Sequence, residues 1–199
     1  MKSSTIGILA MIGSCTIWGL SGLFYKQLVQ VPAIEILAHR TVWSFLFFVL
    51  LLGVQGRLGH VRGSFANWRS FCLTIVAALM ISANWFLFIW AIETEQATQS
   101  SLGYYIYPLV AVVLGRMLFS ERLTPLQWVA IGIAAIAVCV LTYGLGGAPW
   151  IALTLAITFA IYGVIKKQLS VGPVVSVTAE VLLVVPFAVI FLLLTWHNG

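Results

Sequence analysis

The feature that most constrains this chain is its series of long apolar segments. An α-helix rises about 1.5 Å per residue and needs roughly 20 apolar residues to cross a hydrocarbon core of about 30 Å. Hydrophobic residues make up 62% of the 199 residues and charged residues only 8%, whereas a soluble domain is about 25% charged. We therefore predict an all-α integral membrane protein with about seven transmembrane helices. The predicted helices cover residues 5–25, 34–55, 70–92, 98–119, 125–144, 149–166 and 174–196.

The distribution of positive charge predicts how these helices are oriented. With a cytoplasmic N-terminus, eight of the Lys and Arg residues fall on the cytoplasmic side and only Lys26 falls outside. This asymmetry is the positive-inside pattern of membrane proteins. The net charge of +5 therefore indicates topology rather than a nucleic-acid partner. The eight cytoplasmic cations in this orientation are Lys2, Arg57, Arg62, Arg69, Arg116, Arg122, Lys166 and Lys167.

A weak internal repeat divides the chain. The sequence CTIWG at 15–19 is echoed by FAIYG at 159–163, and each copy is followed by Lys-Gln-Leu, at 26–28 and 167–169. The copies are separated by five predicted helices, so the second crosses the membrane in the opposite direction. An inverted repeat of this kind is typical of secondary transporters, whose site lies where the repeats meet. The predicted domains are a five-helix repeat over 1–145 and a partial second repeat over 146–199.

The passage LTPLQW predicts where the fifth helix begins. Thr124 is the expected N-cap, Pro125 the first helical residue and Gln127 the partner of Thr124 in a capping box. The helix that follows carries a stripe of small residues that permits close helix packing in lipid. That stripe is expected to pack either inside the protein or between subunits of a homo-oligomer. Its members are Ala130, Ala134 and Ala137.

Four stretches of this sequence carry a family resemblance that runs the whole length of the chain. They are EILAHRTVWSF at 35–45, NWFLFIWA at 84–91, SLGYYIYPLV at 101–110 and VLGRMLFSERLTPLQW at 113–128. These stretches are similar to the RarD group of EamA transporters, in the drug/metabolite transporter superfamily. The resemblance implies an inner-membrane efflux protein built from ten helices in two inverted five-helix repeats. This chain ends after helix seven, so a partial form is expected.

Ionisable side chains inside predicted helices are the first candidates for a functional site, because a charge at the bilayer centre costs roughly 2.5 to 3.5 kcal/mol on insertion scales. Glu35, His39 and Trp43 form a stripe at helical spacing that is expected to face protein or a cavity. For Glu35 the alternative is that the helix dipole favours a carboxylate in the first turn. Arg40 points elsewhere, towards a buried partner or an anionic substrate, unless it snorkels to the interface.

Glu180 lies about 9 Å from the cytoplasmic end of the seventh predicted helix, and Arg40 lies about 10 Å from the outer end of the second. A direct salt bridge between them is therefore not expected. We predict that Glu35, His39 and Arg40 line an outer vestibule and that Glu180 lines an inner one. Proton coupling through Glu35, His39 and Glu180 is a further hypothesis. The remaining acidic residues, Glu93, Glu95 and Glu121, fall in predicted loops and are expected to be solvated.

Five uncharged residues complete the predicted substrate pathway. Asn84 is expected to bond between helices, with contact to a ligand as the alternative. The others are aromatic residues that can form an amphipathic lining for a small organic solute. For Tyr104 and Tyr107, packing and the interfacial aromatic belt are the alternative explanation. These aromatic residues are Trp18, Trp85, Tyr104 and Tyr107.

Sequence signatures of catalysis are scarce. The chain contains no Asp, no HExxH motif and no glycine-rich phosphate loop, and its three cysteines lack metal-site spacing. We therefore expect no enzymatic activity, metal or cofactor. The predicted function is a secondary transporter that moves a small organic solute by alternating access, and the resemblance implies efflux of drugs or metabolites. The alternative is a non-transporting remnant or a half-transporter that needs a partner chain.

Overall fold

The computed structural model describes residues 3–120, 123–144 and 149–198. Lys2, Glu121, Arg122 and the predicted domain boundary at 145/146 lie outside these residues. The described part contains seven α-helices, each long and apolar enough to cross a membrane, which confirms the predicted fold class. These are α1 (Ser3–Lys26), α2 (Ala33–Val54), α3 (Trp68–Glu93), α4 (Ala97–Phe119), α5 (Pro125–Gly144), α6 (Trp150–Gln168) and α7 (Pro173–Asn198), and a 3₁₀ helix at Leu58–Phe65 lies between α2 and α3.

Side chains satisfy the free backbone groups at several helix starts. The Thr124 N–H donates to Gln127 Oε1 over 2.8 Å, and the Gln127 N–H donates to Thr124 Oγ1 over 3.4 Å. This reciprocal pair confirms the predicted capping box. At the start of α3, Asn67 Oδ1 accepts from the Ser70 N–H over 2.8 Å, which is an ordinary N-cap bond.

Glu93 has a structural task that the sequence did not reveal. Its Oε2 atom accepts from the Ala33 N–H over 3.1 Å, so the last residue of α3 caps the first turn of α2. The expectation that Glu93 is a solvated loop residue is therefore wrong. A carboxylate is favoured at a helix N-terminus by the helix dipole, and this contact ties α2 to α3.

Helix α3 lies at the centre of the bundle, in contact with α1, α2, α4, α6 and α7. The most extensive pairings are α4 with α6, α2 with α7 and α3 with α6. We call the two ends of the bundle the Glu35 end and the Lys166 end. The Glu35 end contains the C-termini of α1, α3, α5 and α7 and the N-termini of α2, α4 and α6. The Lys166 end contains the other terminus of each helix.

Helices α4 and α6 approach each other closely at Gly103. A Cβ atom on Gly103 would lie 2.9 Å from the Cβ of Leu155 and 3.0 Å from the carbonyl oxygen of Ala152. Ala152 and Ala156 are themselves fully buried beneath α4. Because lipid tails are as apolar as the side chains, no hydrophobic force drives helices together in a membrane, and small residues of this kind allow close van der Waals packing instead. The contact fixes which α4 side chains face α6.

Helix α5 lies at the periphery and contacts α4. Ala130 and Ala137 of its small-residue stripe are exposed, and Ala134 is partly exposed. Of the two alternatives for this stripe, packing inside the protein is not seen among the described residues. Packing between subunits stays a prediction.

Candidate functional site

A cavity of about 640 Å³ opens at the Glu35 end of the bundle, between α1, α2, α3 and α4. It brings together six of the nine residues that the sequence proposed for a substrate pathway. Asn84, Tyr107 and Glu180 lie elsewhere. The six residues that line it are Trp18, Glu35, His39, Arg40, Trp85 and Tyr104.

Arg40 is held in this cavity by two uncharged side chains. Its Nη1 atom donates to the hydroxyl of Tyr25 over 2.9 Å, and its Cζ atom lies 3.9 Å from the ring centroid of Trp85. A cation over an indole face is attracted by the ring quadrupole. Tyr25 was not among the predicted residues, because its position at the end of α1 carries no signal that α1 and α2 meet there.

Glu35 and His39 lie between two cavities. Both line the first cavity, and both also line a second of about 600 Å³ whose other wall comes from α7, including Leu192 and Trp196. Glu35 is partly buried, and His39 is exposed. Trp43, the third member of the stripe, also lines the first cavity. The stripe therefore faces cavities on both sides of α2.

A row of aromatic rings leads from the cavity into the bundle. The ring of Tyr104 meets those of Trp18 and Phe88 edge to face, with centroids 5.6 and 5.7 Å apart. Phe159 packs against Tyr107 at 4.7 Å and stacks on Tyr162 at 6.1 Å. Offset and edge-to-face contacts of this kind are favourable between rings. Phe159 and Tyr162 were not among the predicted pathway residues. Both belong to the FAIYG repeat motif, which is the sequence signal that could have identified them.

Tyr107 faces away from the first cavity. It lines a separate cavity of about 210 Å³ towards the Lys166 end, together with Gly163 of α6 and Phe119 at the end of α4. Its part in a substrate pathway stays a prediction.

Glu180 sits in a buried ion pair. Its side chain is 2% exposed, and its Oε1 atom lies 2.8 Å from Lys166 Nζ. The same carboxylate accepts from the hydroxyl of Ser176 over 2.6 Å and from the hydroxyl of Tyr162 over 3.0 Å. Glu180 thus pairs with Lys166. This agrees with the prediction, from the depths of the two residues in the membrane, that Glu180 forms no direct salt bridge with Arg40.

No open vestibule surrounds this carboxylate within the described part of the chain. Glu180 borders only a void of about 10 Å³ shared with Thr41 and Trp85. The sequence analysis treated Lys166 only as a cytoplasmic charge. Its contact with α7 was missed, because that contact depends on the angle between two helices. A role for Glu180 in the substrate pathway stays a prediction.

Asn84 joins α3 to α6. Its Nδ2 atom donates to the carbonyl oxygen of Leu155 and to Thr158 Oγ1, each over 2.9 Å. The side chain is fully buried. This confirms the expectation of an interhelical hydrogen bond.

These helices and this cavity define a multi-pass α-helical membrane protein with a polar and aromatic cavity at one end of its bundle. Residues 5–143 match the model of the EamA-like transporter family. The chain belongs to this family, and the resemblance indicated by the four sequence stretches is confirmed.

Three relatives illustrate the match. A protein named RarD from Streptomyces exfoliatus is 45% identical over 174 residues, which are 87% of this chain and 55% of the relative. An uncharacterized transporter from Vibrio cholerae is 40% identical over 187 residues, 94% of this chain and 62% of the relative. Protein RarD from Escherichia coli (strain K12) is 36% identical over 191 residues, 96% of this chain and 64% of the relative.

The chain thus spans between 55% and 64% of the length of these relatives. No solved structure gives a significant match.

The Lys166–Glu180 pair predicts a strongly non-additive double-mutant cycle. Glu180→Leu leaves a partly buried ammonium and Lys166→Met leaves a buried carboxylate, so each is expected to lower the free energy of unfolding by about 3 to 5 kcal/mol. The double variant removes both charges and is expected to recover most of that loss. Thermal unfolding in detergent measures the effect. Arg62→Met, at an exposed position at the same end of the bundle, is the control and should cost less than about 1 kcal/mol. Additive losses in the double variant would show that the pair is not coupled.

Proposed function

We propose that the protein is a secondary transporter that exports a small organic solute by alternating access, with the cavity at the Glu35 end as its solute site. The observation that carries this proposal is the cavity itself, which combines ionisable and aromatic side chains inside a membrane-spanning bundle. Cavities of this size and composition suit small organic ligands. The names of the relatives, which include transporters, point to transport rather than to an enzyme.

We also propose that the protein lies in the bacterial inner membrane with its Lys166 end in the cytoplasm. Among the described residues, the Lys166 end carries six Lys and Arg residues and the Glu35 end carries Lys26. This bias supports a cytoplasmic N-terminus. The cavity then faces the outside, which suits a site from which a solute is released.

Alkaline phosphatase fusions test this orientation, because the enzyme is active only outside the cytoplasm. A fusion after Gln30 is expected to be active, and a fusion after Gly59 is expected to be inactive. The measurement is phosphatase activity at matched fusion abundance. The reverse pattern would place the cavity on the cytoplasmic side and would contradict the proposed direction of export.

Two neighbouring tyrosines on α4 offer a matched test of the cavity as the solute site. Tyr104 lines the cavity, whereas Tyr105 does not line it and is 75% exposed. Solutes exported by cells that express the protein are identified by mass spectrometry of the medium, against an empty vector. Tyr104→Leu is expected to lower their initial efflux rate about threefold to tenfold, since one aromatic contact contributes about 0.5 to 1.5 kcal/mol.

The control variant Tyr105→Leu should export at the unchanged rate, with membrane abundance of all three proteins compared by immunoblot. An equal loss in both variants would argue against the cavity as the pathway.

Proton coupling is proposed through Glu35 and His39, the two titratable side chains shared by both cavities. The other titratable or charged groups that line the first cavity are Tyr25, Arg40 and Tyr104. A group that binds a proton in one state and releases it in the other can couple transport to a proton gradient. Glu180 is enclosed by Lys166 at the opposite end and is a less accessible candidate for this role.

A pH step across membrane vesicles tests the coupling on the solutes identified above. Wild-type export is expected to change with the step, and Glu35→Gln is expected to remove that response. Glu95→Gln, at an exposed position outside both cavities, should keep it. Loss of the response in Glu180→Gln but not in Glu35→Gln would assign the coupling to the ion pair instead.

A second candidate is a half-transporter that works only with a partner chain. The observation that favours it is the exposure of α1, whose residues 5–20 are all exposed. The export measurement separates the two candidates. Export that appears only when the C-terminal part of a longer relative is co-expressed would support the second.

A further inference from the structure

The guanidinium of Arg40 is incompletely bound by the protein. It carries five N–H donors, and the described structure shows a single hydrogen bond from it, to the Tyr25 hydroxyl. One face is covered by Trp85. No carboxylate lies within 4.0 Å of it among the residues that the structure describes. A charge inside a membrane protein is normally paired, so this cation has capacity for an anion from outside the chain.

The second repeat contains a pair of side chains that corresponds to Tyr25 and Arg40. The two Lys-Gln-Leu copies, at 26–28 and 167–169, differ by 141 positions, and the starts of α2 and α7, Ala33 and Pro173, differ by 140. These offsets place Tyr25 opposite Lys166, and Arg40 opposite Glu180. The CTIWG and FAIYG copies differ by 144 positions, so the correspondence holds to within about one helical turn. Both pairs join consecutive helices, and they lie near opposite ends of the bundle.

The two positions differ in how their charge is balanced. At the second, the carboxylate of Glu180 and the ammonium of Lys166 neutralise each other, and Glu180 is 2% exposed. At the first, the partners are a guanidinium and a neutral phenol, and both open onto the cavity of about 640 Å³. At the first site a cation, Arg40, stands at the position of Glu180, and the residue at the position of Lys166 is the neutral Tyr25, so the first site has a cation without an anion.

The walls around Arg40 indicate the body of the ligand. Trp18, Trp43, Phe88 and Tyr104 present aromatic rings to the same cavity, and flat apolar groups pack well against such rings. Glu35 also lines this cavity and carries the opposite charge to Arg40. A second negative charge on the ligand would meet Glu35, and like-charge contact in a partly buried site is repulsive.

We propose that the cavity binds a small aromatic monocarboxylic acid, with its carboxylate on Arg40 and its ring against the aromatic wall. Arginine suits this role because its planar donors match a carboxylate in pairs. Glu35 discriminates against dicarboxylates. The inference rests on the proposed function in that it takes this cavity as the solute site, and it names the class of solute.

Equilibrium binding tests the proposal without any need for transport. Radiolabelled hydrocinnamate is bound to the purified chain in lipid nanodiscs at neutral pH, with empty nanodiscs subtracted. Unlabelled hydrocinnamate, its amide and the dicarboxylate phenylsuccinate then compete for the site. The amide and the dicarboxylate are each expected to compete at least about tenfold less effectively, because the charge-assisted hydrogen bonds are lost in one and Glu35 repels the other.

Variants locate the site. Arg40→Gln is expected to weaken hydrocinnamate binding at least about tenfold, and Arg40→Lys, which keeps the charge without the paired donors, is expected to give an intermediate loss. Lys26→Gln removes a cation from the same end of the bundle outside the cavity and should change binding less than about twofold. Circular dichroism checks that each variant is folded. The competition experiment uses the wild-type chain, so it tests the proposal even if a variant fails to fold.

Three results would overturn the proposal: no saturable hydrocinnamate binding, equal competition by the amide, or unchanged binding in a folded Arg40→Gln variant. The outcome is separable from the proposed function. Carboxylate binding without export of any solute would support the proposed carboxylate site and contradict the proposed transport function. Export with equal binding of carboxylate and amide would support transport and contradict the carboxylate site.

Discussion

The structure depends on the inability of hydrocarbon to form hydrogen bonds. A polar group placed inside a membrane-spanning helix must find its partner in the protein. Asn84 meets this requirement with its Nδ2 atom, which donates to α6, whereas its Oδ1 atom has no partner among the described residues. Glu180 meets it through Lys166 and Tyr162 of α6 and through Ser176 of its own helix. The contacts with α6 join two helices, so the requirement to satisfy polar groups also contributes to which helices are neighbours.

Arg40 meets the same requirement only in part. Tyr25 and Trp85 occupy one donor and one face of its guanidinium, and the remaining donors belong to the cavity wall. Asn84 and Glu180 are enclosed by the bundle, whereas Arg40 faces a cavity, and this difference is the basis for proposing a ligand site beside Arg40. The same physical constraint therefore applies to the enclosed part of the bundle and to its open end.

The close contact of α4 with α6 connects these two regions. Gly103 allows the approach, and the approach brings Tyr104 and Tyr107 against Phe159. Because Phe159 and Lys166 lie on the same helix, a displacement of α6 against α4 would move the aromatic wall and the ion pair together.

The sequence predicted the local features well because they depend on neighbouring residues. The lengths of the apolar runs located the seven helices, and Thr124 with Gln127 located one helix start. Contacts between helices were harder to predict, since helical periodicity does not reveal which faces meet. Glu93 was assigned to solvent for this reason, and the pairing of Lys166 with Glu180 and the contact of Tyr25 with Arg40 were missed.

The sequence by itself determined that this chain is a membrane-spanning helical protein, because only helices satisfy the backbone over apolar runs of this length. It also singled out Glu35, His39, Arg40 and Glu180 as the ionisable groups within those helices. The tertiary structure decided which of them are enclosed and which are open to a ligand. That difference arises from the angles and distances between helices, which place a carboxylate beside Lys166 and leave a cavity beside Arg40.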